Sequence, residues 1–180
     1  MNDIPENVLT KAKPIRLVIF DVDGVLTDGR LFVGDDGQNY KAFYARDGFG
    51  IKTLQKTGIE IGIITGNTSD VVTHRMHSLG IQHVFQGRVE KLPAFEELCN
   101  TLNLKHEQVA FVGDDVIDVP IMLKVGLAIT VADAHPLVVN YAHWQTPSAG
   151  GFGAARDVCE LIMYAQGTLA TQFGVYGIEI

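Results

Sequence analysis

Short apolar runs alternate along this chain with segments in which apolar residues recur at helical spacing. The runs predict strands at 17–20, 60–65, 83–85, 109–112 and 127–131. The helical segments lie at 47–56, 69–79, 91–102, 136–142 and 154–165, with another near 116–124. Strands and helices that alternate in this way form a parallel sheet with helices on its faces. The pattern therefore predicts an α/β fold with a Rossmann-like parallel sheet flanked by helices.

The segment after the first strand has the pattern of a β-hairpin. Strand-like residues at 30–33 and 38–43 flank the turn Gly34-Asp35-Asp36-Gly37. The hairpin has more apolar side chains than two solvated strands normally show, namely Leu31, Phe32, Val33, Tyr40, Phe43 and Tyr44. Two interpretations stay open: the hairpin folds onto the core of its own chain, or it packs against another copy of the chain.

No part of the chain has room for a separate cap domain over the sheet. About a dozen residues separate Thr27 from Tyr40, and the span 65–91 holds one predicted helix and one short strand. An independently folded domain needs at least about 40 residues. We therefore expect residues 1–180 to form one domain, with the hairpin at 30–44 and a C-terminal tail at 167–180 that has little pattern.

Composition narrows the class of protein. Of 180 residues, 47% are hydrophobic and 19% are charged, as in ordinary globular proteins. No apolar run approaches the roughly 18 residues of a membrane-spanning helix, and the segment 1–14 lacks the apolar centre of a secretory signal. We therefore expect no membrane partner and a cytoplasmic location. The net charge of −7 argues against a nucleic-acid partner, and the two cysteines have no metal-binding or disulfide spacing.

Polar side chains follow three of the predicted strands at the point where each strand ends. Asp21 follows the strand at 17–20, Thr65 ends the next apolar run, and Asp114 comes shortly after the strand at 109–112. The carboxyl ends of parallel strands meet at one edge of a sheet, which is where open α/β proteins bind ligands. The three positions therefore predict one functional site.

Asp21 and Asp23 are the chemical centre of this prediction. Residues two apart in a strand point to the same side, so the two carboxylates start out close together and repel each other. The pair is tolerable with a cation between the groups, with a shared proton, or with different roles for each. A calcium loop does not fit, because its fifth and sixth positions would be Val25 and Leu26. A plain turn at Asp23-Gly24 is the alternative, and a catalytic site is the favoured interpretation.

Four motifs, in this order, resemble those of the haloacid dehalogenase superfamily. They are Asp21-Val22-Asp23-Gly24, Ile64-Thr65-Gly66, Lys91 ahead of a helix, and Gly113-Asp114-Asp115-Val116-Ile117-Asp118. The resemblance spans residues 16–166 and implies an enzyme of phosphoryl transfer. The second aspartate points to phosphate hydrolysis or a mutase, and the missing cap domain favours a phosphatase.

The resemblance also implies a role for each motif residue. Asp21 is expected to take the phosphoryl group as an aspartyl phosphate, while Asp23 protonates the departing oxygen and then activates water. Thr65 and Lys91 are expected to hold the phosphoryl oxygens. The implied cofactor is Mg²⁺, bound by the carboxylate of Asp21, the main-chain carbonyl of Asp23 and the carboxylate of Asp114.

Further stretches, at 21–29, 43–51, 112–120, 132–136 and 150–167, resemble the phosphatases of 3-deoxy-D-manno-octulosonate 8-phosphate, a sugar-acid phosphate of lipopolysaccharide synthesis. This resemblance implies a homotetramer in which neighbouring hairpins close the active sites. It also implies that Asp118, rather than Asp115, supports the metal ligands. The implied substrate contacts are Asp23, Tyr44, Ala45, Arg46, Asp47, Gly48, Lys52, Asn67, Arg75 and Lys91.

Two features depart from known patterns. Asn67 stands where relatives often have arginine, so a nonulosonic (sialic-type) acid 9-phosphate is an alternative substrate. The segment 150–153 (Gly-Gly-Phe-Gly) does not match a dinucleotide-binding loop, because Arg156 replaces the third glycine of that loop. We expect a flexible turn there, with Arg156 near a phosphate or a neighbouring chain.

A non-catalytic assembly or regulatory module is the alternative from another class of function, and the intact motif residues argue against it.

Overall fold

A computed structural model describes residues 4–179 of the protein; residues 1–3, in the segment 1–14, and residue 180, in the C-terminal tail, lie outside the described residues. The strands in this range are β1 (Leu17–Phe20), β2 (Phe32–Val33), β3 (Asn39–Tyr40), β4 (Glu60–Ile64), β5 (His83–Phe85), β6 (Val109–Gly113), β7 (Leu127–Thr130) and β8 (Trp144–Gln145). The α-helices are α1 (Glu6–Ala12), α2 (Ala45–Gln55), α3 (Asp70–Leu79), α4 (Leu92–Leu102), α5 (Val119–Met122), α6 (Pro136–Val139), α7 (Ala154–Ala165) and α8 (Leu169–Gly174).

Six of the strands form one parallel sheet in the order β5-β4-β1-β6-β7-β8. Helices cover both of its faces. Val18 and Phe20 of β1 belong to the core under α1, α2, α3 and α7, whereas Leu17 and Ile19 belong to the core under α4, α5 and α6. A central strand buried on both faces is apolar at every position, as β1 is. The predicted parallel sheet with flanking helices is confirmed.

The register of the sheet determines where the polar residues meet. β1 ends at Phe20, which pairs with Ile63 of β4 and with Val112 of β6. The chain therefore leaves three adjacent strands at one edge of the sheet. The residues that follow these strands are Asp21, Thr65 and Asp114.

The segment between β1 and α2 holds the predicted hairpin, and among the described residues it contains no cap domain. The hairpin strands are two residues long, shorter than predicted, and Phe32 pairs with Tyr40. Phe43, at the base of the hairpin, is partly buried and packs against the core of its own chain. The side chains nearer the tip are exposed, and they are Leu31, Phe32, Val33 and Tyr40.

Several elements differ from the predicted pattern. The pattern did not predict α1, β8 or α8, because each is short, and α1 in addition packs against α7, which is far from it in the sequence. The helix expected near 116–124 is instead a 3₁₀ turn at Val116–Asp118 followed by α5. The Asp118 side chain bonds back to the main chain of the preceding loop, which interrupts a regular helix. No helix in residues 4–179 is long and apolar enough to cross a membrane.

Candidate active site

A cavity of about 370 Å³ opens at the carboxyl edge of the sheet. The predicted residues that line it are Asp21, Asp23, Thr65, Asn67 and Asp114. Three glycines and two exposed apolar side chains, Val89 and Ile117, also line the cavity. The three strand ends therefore do deliver their polar residues to one place.

Lys91 joins two buried carboxylates beneath this cavity. Its Nζ lies 2.8 Å from Oδ2 of Asp21 and 2.6 Å from Oδ1 of Asp118, and all three side chains are buried. Burial raises the pKa of Asp21 to about 6, against the lowering effect of the Lys91 ammonium and with a further rise from Asp118. For Lys91 the two carboxylates outweigh burial and raise its pKa above the usual value.

Asp118 organises the loop that follows β6. One of its oxygens is taken by Lys91, and the other accepts hydrogen bonds from the main-chain N–H groups of Asp114 at 3.0 Å and Asp115 at 3.2 Å. A Cβ at Gly113 would overlap the Asp118 side chain, so this packing depends on a glycine there. The exposed Asp115 carboxylate caps the 3₁₀ turn and accepts a hydrogen bond from the N–H of Val116. Asp118 thus holds the Asp114 loop in place with both of its oxygens occupied.

The acidic groups here suit a divalent cation. Carboxylate oxygens of Asp21, Asp114 and Asp118 all lie within 4.8 Å of one another. Burial, and then the charges of Asp21 and Asp118, raise the pKa of Asp114 to about 8. One ammonium, that of Lys91, stands against three carboxylates, so the cluster has excess negative charge made of the hard oxygen donors that Mg²⁺ prefers. Gly24 keeps room for this cluster, because it has φ +87° and a Cβ there would overlap Asp114.

The carboxylate of Asp23 is held by two side chains from different parts of the chain. Lys41, just after β3, forms an ion pair with its Oδ1, and Nδ2 of Asn67 donates a hydrogen bond to its Oδ2 at 2.8 Å. The sequence pattern missed Lys41. Nothing in its local surroundings distinguishes it from a solvated lysine at the end of a hairpin, and only the fold of the hairpin over the strand ends brings it to Asp23.

The other predicted substrate contacts do not line this cavity within one chain. Arg75 of α3 lies against Gly48, and the two line a small pocket between α2 and α3 together with Tyr44 and Asp47. Ala45 and Arg46 line a different, more apolar depression, and Lys52 is exposed on α2. The role of these seven residues as substrate contacts stays a prediction.

Arg156 lies away from the cavity as well. Its guanidinium stacks over the ring of Phe49, 4.6 Å from the centroid, and forms an ion pair with Glu160. Its main-chain N–H donates to Oδ1 of Asp47 at 2.8 Å. The glycine segment before it supports the loop that follows β1 instead, because the N–H of Gly151 donates to the carbonyl of Val25 at 3.0 Å.

Comparisons with known proteins agree with this geometry. The sequence profile of haloacid dehalogenase-like hydrolases matches residues 80–156. The 3-deoxy-D-manno-octulosonate 8-phosphate phosphatase of Salmonella typhi is 50% identical over 166 residues, which are 92% of this chain and 88% of that protein. The chain belongs to the 3-deoxy-D-manno-octulosonate 8-phosphate phosphatase family. Within it, the Yersinia pestis phosphatase is 46% identical over 177 residues, 98% of this chain and 93% of that one.

Solved structures of this phosphatase family share the fold. The Yersinia pestis phosphatase superposes with a TM-score of 0.91 at 48% identity, covering 92% of this chain and 90% of that chain. The Moraxella catarrhalis phosphatase has a TM-score of 0.94 at 36% identity and covers 96% of this chain and 99% of its own. That structure contains a magnesium ion, a phosphate ion and a KDO molecule. The predicted family and fold are therefore confirmed.

Proposed function

We propose that this chain is a magnesium-dependent phosphatase that hydrolyses 3-deoxy-D-manno-octulosonate 8-phosphate to the free sugar acid and phosphate. One observation carries the proposal: the cavity that Asp21, Asp23, Thr65, Asn67 and Asp114 help to line lies in a chain 50% identical, over 92% of its length, to a phosphatase of that substrate. The Moraxella catarrhalis relative binds the corresponding ion, phosphate and sugar together.

The reaction follows from the roles of the two aspartates. An oxygen of Asp21 attacks phosphorus, and the bond from phosphorus to the sugar oxygen breaks while Asp23 gives that oxygen a proton. Asp23 then takes a proton from water as the water oxygen attacks phosphorus. This releases inorganic phosphate and restores the Asp21 carboxylate, and the proton on Asp23 is available for the next cycle.

The carboxylates of Asp21 and Asp114 and the main-chain carbonyl of Asp23 would hold Mg²⁺. When bound, the ion neutralises charge on these carboxylates and on the phosphoryl oxygens. Lys91 lies beside Asp21 and lowers the electrostatic cost of bringing a phosphate dianion to a buried carboxylate. The hydroxyl of Thr65, at the end of β4, would bind a phosphoryl oxygen.

The hairpin supports a homotetramer, with sites closed by neighbouring chains. Leu31, Phe32, Val33 and Tyr40 are each more than half exposed, and together they form an apolar tip beside an uncapped cavity. In such an assembly Arg46, Lys52 and Arg75, which lie off the cavity of their own chain, would contribute to the site of a neighbour. The cytoplasmic location remains a prediction from the sequence.

Asn67 keeps the nonulosonic acid 9-phosphate as a second candidate substrate. Its amide bonds to Asp23 and so stands where the departing sugar would lie. Phosphate release from a panel of sugar phosphates, with and without Mg²⁺, tests the proposal. We expect the octulosonate 8-phosphate to be the best substrate and activity to need Mg²⁺. Better turnover of a nonulosonate 9-phosphate would make that compound the proposed substrate. No turnover of either compound would favour a non-catalytic assembly module.

A further inference from the structure

Lys41 is an unusual lysine because its charged end is out of water. Its side chain is 5% exposed, although it follows a short hairpin at the surface. Burying an ammonium is costly unless a charge or a hydrogen bond compensates it. Among the described residues, the Asp23 carboxylate is the acidic group that Lys41 pairs with.

The contact matters because Asp23 must first give a proton to the sugar oxygen and later take one from water, so the orientation of its carboxylate affects both steps. A carboxylate is planar and turns about one bond, so holding both oxygens fixes its plane. Lys41 holds Oδ1 and Asn67 holds Oδ2, and the two come from the hairpin and from the loop after β4. They also line a cavity of about 150 Å³ between the hairpin and that loop, next to the active-site cavity.

We propose that Lys41 is a positioning residue, which holds the Asp23 carboxylate in the orientation that proton transfer to the departing sugar requires. The inference rests on the proposed function, because it presumes that Asp23 is the general acid. It follows that the hairpin is tied to the chemical step through one side chain. Displacing the hairpin then turns the Asp23 carboxylate even where Asp21, Lys91 and Asp114 are untouched.

The plainer role for Lys41 is to anchor the hairpin without any effect on catalysis. The two roles differ in how they depend on the leaving group. A sugar alkoxide needs a proton to depart, whereas the phenolate of p-nitrophenyl phosphate departs without one. Since kcat/KM reports the steps up to the first irreversible one, it isolates the departure of the leaving group for each substrate.

The test compares Lys41→Met with the wild type on both substrates. We expect kcat/KM for the octulosonate 8-phosphate to fall roughly 10- to 100-fold, a part of the 10²–10⁴-fold that general acid–base catalysis contributes. For p-nitrophenyl phosphate we expect a fall of less than about threefold, which also shows that the variant is folded. Lys56→Met removes an exposed lysine at the end of α2 and should change neither value. Lys41→Gln serves as a second variant.

A double-variant cycle asks whether Lys41 acts through Asp23. Asp23→Asn should show the same dependence on leaving group with a larger loss, and adding Lys41→Met to it should have no further effect on the sugar phosphate. An equal fall for both substrates, no fall for either, or an additive loss in the double variant would overturn the inference. If the wild-type enzyme does not hydrolyse the sugar phosphate, the proposed function fails instead.

Discussion

Lys91 and Asp21 lie 2.8 Å apart beneath the cavity, although four strands and two helices, from β2 to β5, separate them in the chain. An ammonium buried between carboxylates is an expensive way to stabilise a fold, because apolar residues of similar size usually do as well. The arrangement is suited to chemistry instead. It keeps a carboxylate mostly buried yet partly neutralised, which is what a nucleophile toward a phosphate dianion needs.

Asp21→Asn should abolish turnover without unfolding the protein. The amide has the size of the carboxylate but cannot attack phosphorus, and Lys91 still pairs with Asp118. We expect phosphate release from the sugar phosphate to fall by at least about 10⁴-fold, on the scale seen when a covalent nucleophile is lost. Circular dichroism should give the wild-type spectrum. Near-normal phosphate release from this variant would exclude an aspartyl phosphate.

Mg²⁺ binding should depend on pH, because the ion competes with protons for its ligands. Without the ion, burial raises the pKa of Asp21 to about 6 although Lys91 opposes the rise, and burial together with the charges of Asp21 and Asp118 raises the pKa of Asp114 to about 8. Both carboxylates must be ionised to bind the metal, so the apparent affinity should increase as the pH rises from 6 to 8. One displaced proton gives a slope of up to about tenfold per pH unit.

The measurement is the Mg²⁺ concentration for half-maximal activity at several pH values, starting from chelator-treated protein. Asp114→Asn should raise that concentration at pH 8 and flatten its dependence on pH, since the group with the higher pKa is gone. Full activity after chelation, or a wild-type profile that is flat between pH 6 and 8, would contradict the assignment of the metal ligands.

The sheet and the edge of the site could be predicted from the sequence because their signals are local. Four buried residues at 17–20 and the polar residue after them lie next to one another in the chain, and parallel strands must align their carboxyl ends. Thr65 and Asp114 were predicted in the same way, because each comes at the end of an apolar run of the sequence. The position of Asp118 as a support was also predicted, although no local signal indicated that it would bond to Lys91.

Contacts set by tertiary packing could not be predicted in this way. Lys41 reaches Asp23 only because the hairpin folds back over the strand ends. α1 has too short an apolar pattern to stand out, and its burial depends on α7. Arginine is a common phosphate ligand, which is why Arg156 was expected near a phosphate. Its stacking on Phe49 instead follows from how α2 and α7 pack.

Asp47→Asn should change how stability depends on pH. Asp47 is buried, one of its oxygens accepts the N–H of Arg156, and the other has no partner within the described residues. Burial raises the pKa of Asp47 from 3.8 to about 6. The folded protein therefore holds this proton more tightly than the unfolded chain does, and the cost of ionising the group appears as the pH rises from about 4 to about 6.

The amide that Asp47→Asn introduces would still accept the hydrogen bond from Arg156 but has no charge to bury. Urea unfolding at pH 4.5 and at pH 7.5 gives the free energy of unfolding of both proteins. The difference in this free energy, variant minus wild type, should be about 2 kcal/mol larger at pH 7.5 than at pH 4.5. The difference between the proteins isolates Asp47, because Asp21 and Asp114 titrate in both. Parallel pH dependences of the two proteins would show that Asp47 is not held protonated by the fold.

Phe32→Glu should dissociate the proposed homotetramer. Phe32 is 51% exposed on β2, and a carboxylate there cannot be buried against a neighbouring hairpin without a large desolvation cost. Light scattering should report a tetramer for the wild type and a smaller species for the variant. Leu123→Glu, which charges an exposed leucine outside the hairpin, is the control and should stay assembled.

Phe32→Glu also tests which chain recognises the carboxylate of the sugar acid. Arg46, Lys52 and Arg75 do not line the cavity of their own chain, and in the proposed tetramer they would contribute to the site of a neighbour. A hydrogen bond to a charged group contributes about 1.5–3 kcal/mol, so the wild type should prefer the octulosonate 8-phosphate over arabinose 5-phosphate, which has no carboxylate, by roughly 10- to 150-fold in kcat/KM. Dissociated Phe32→Glu should hydrolyse p-nitrophenyl phosphate yet lose most of that preference. A monomer that keeps the preference would place the recognition of the acid within a single chain.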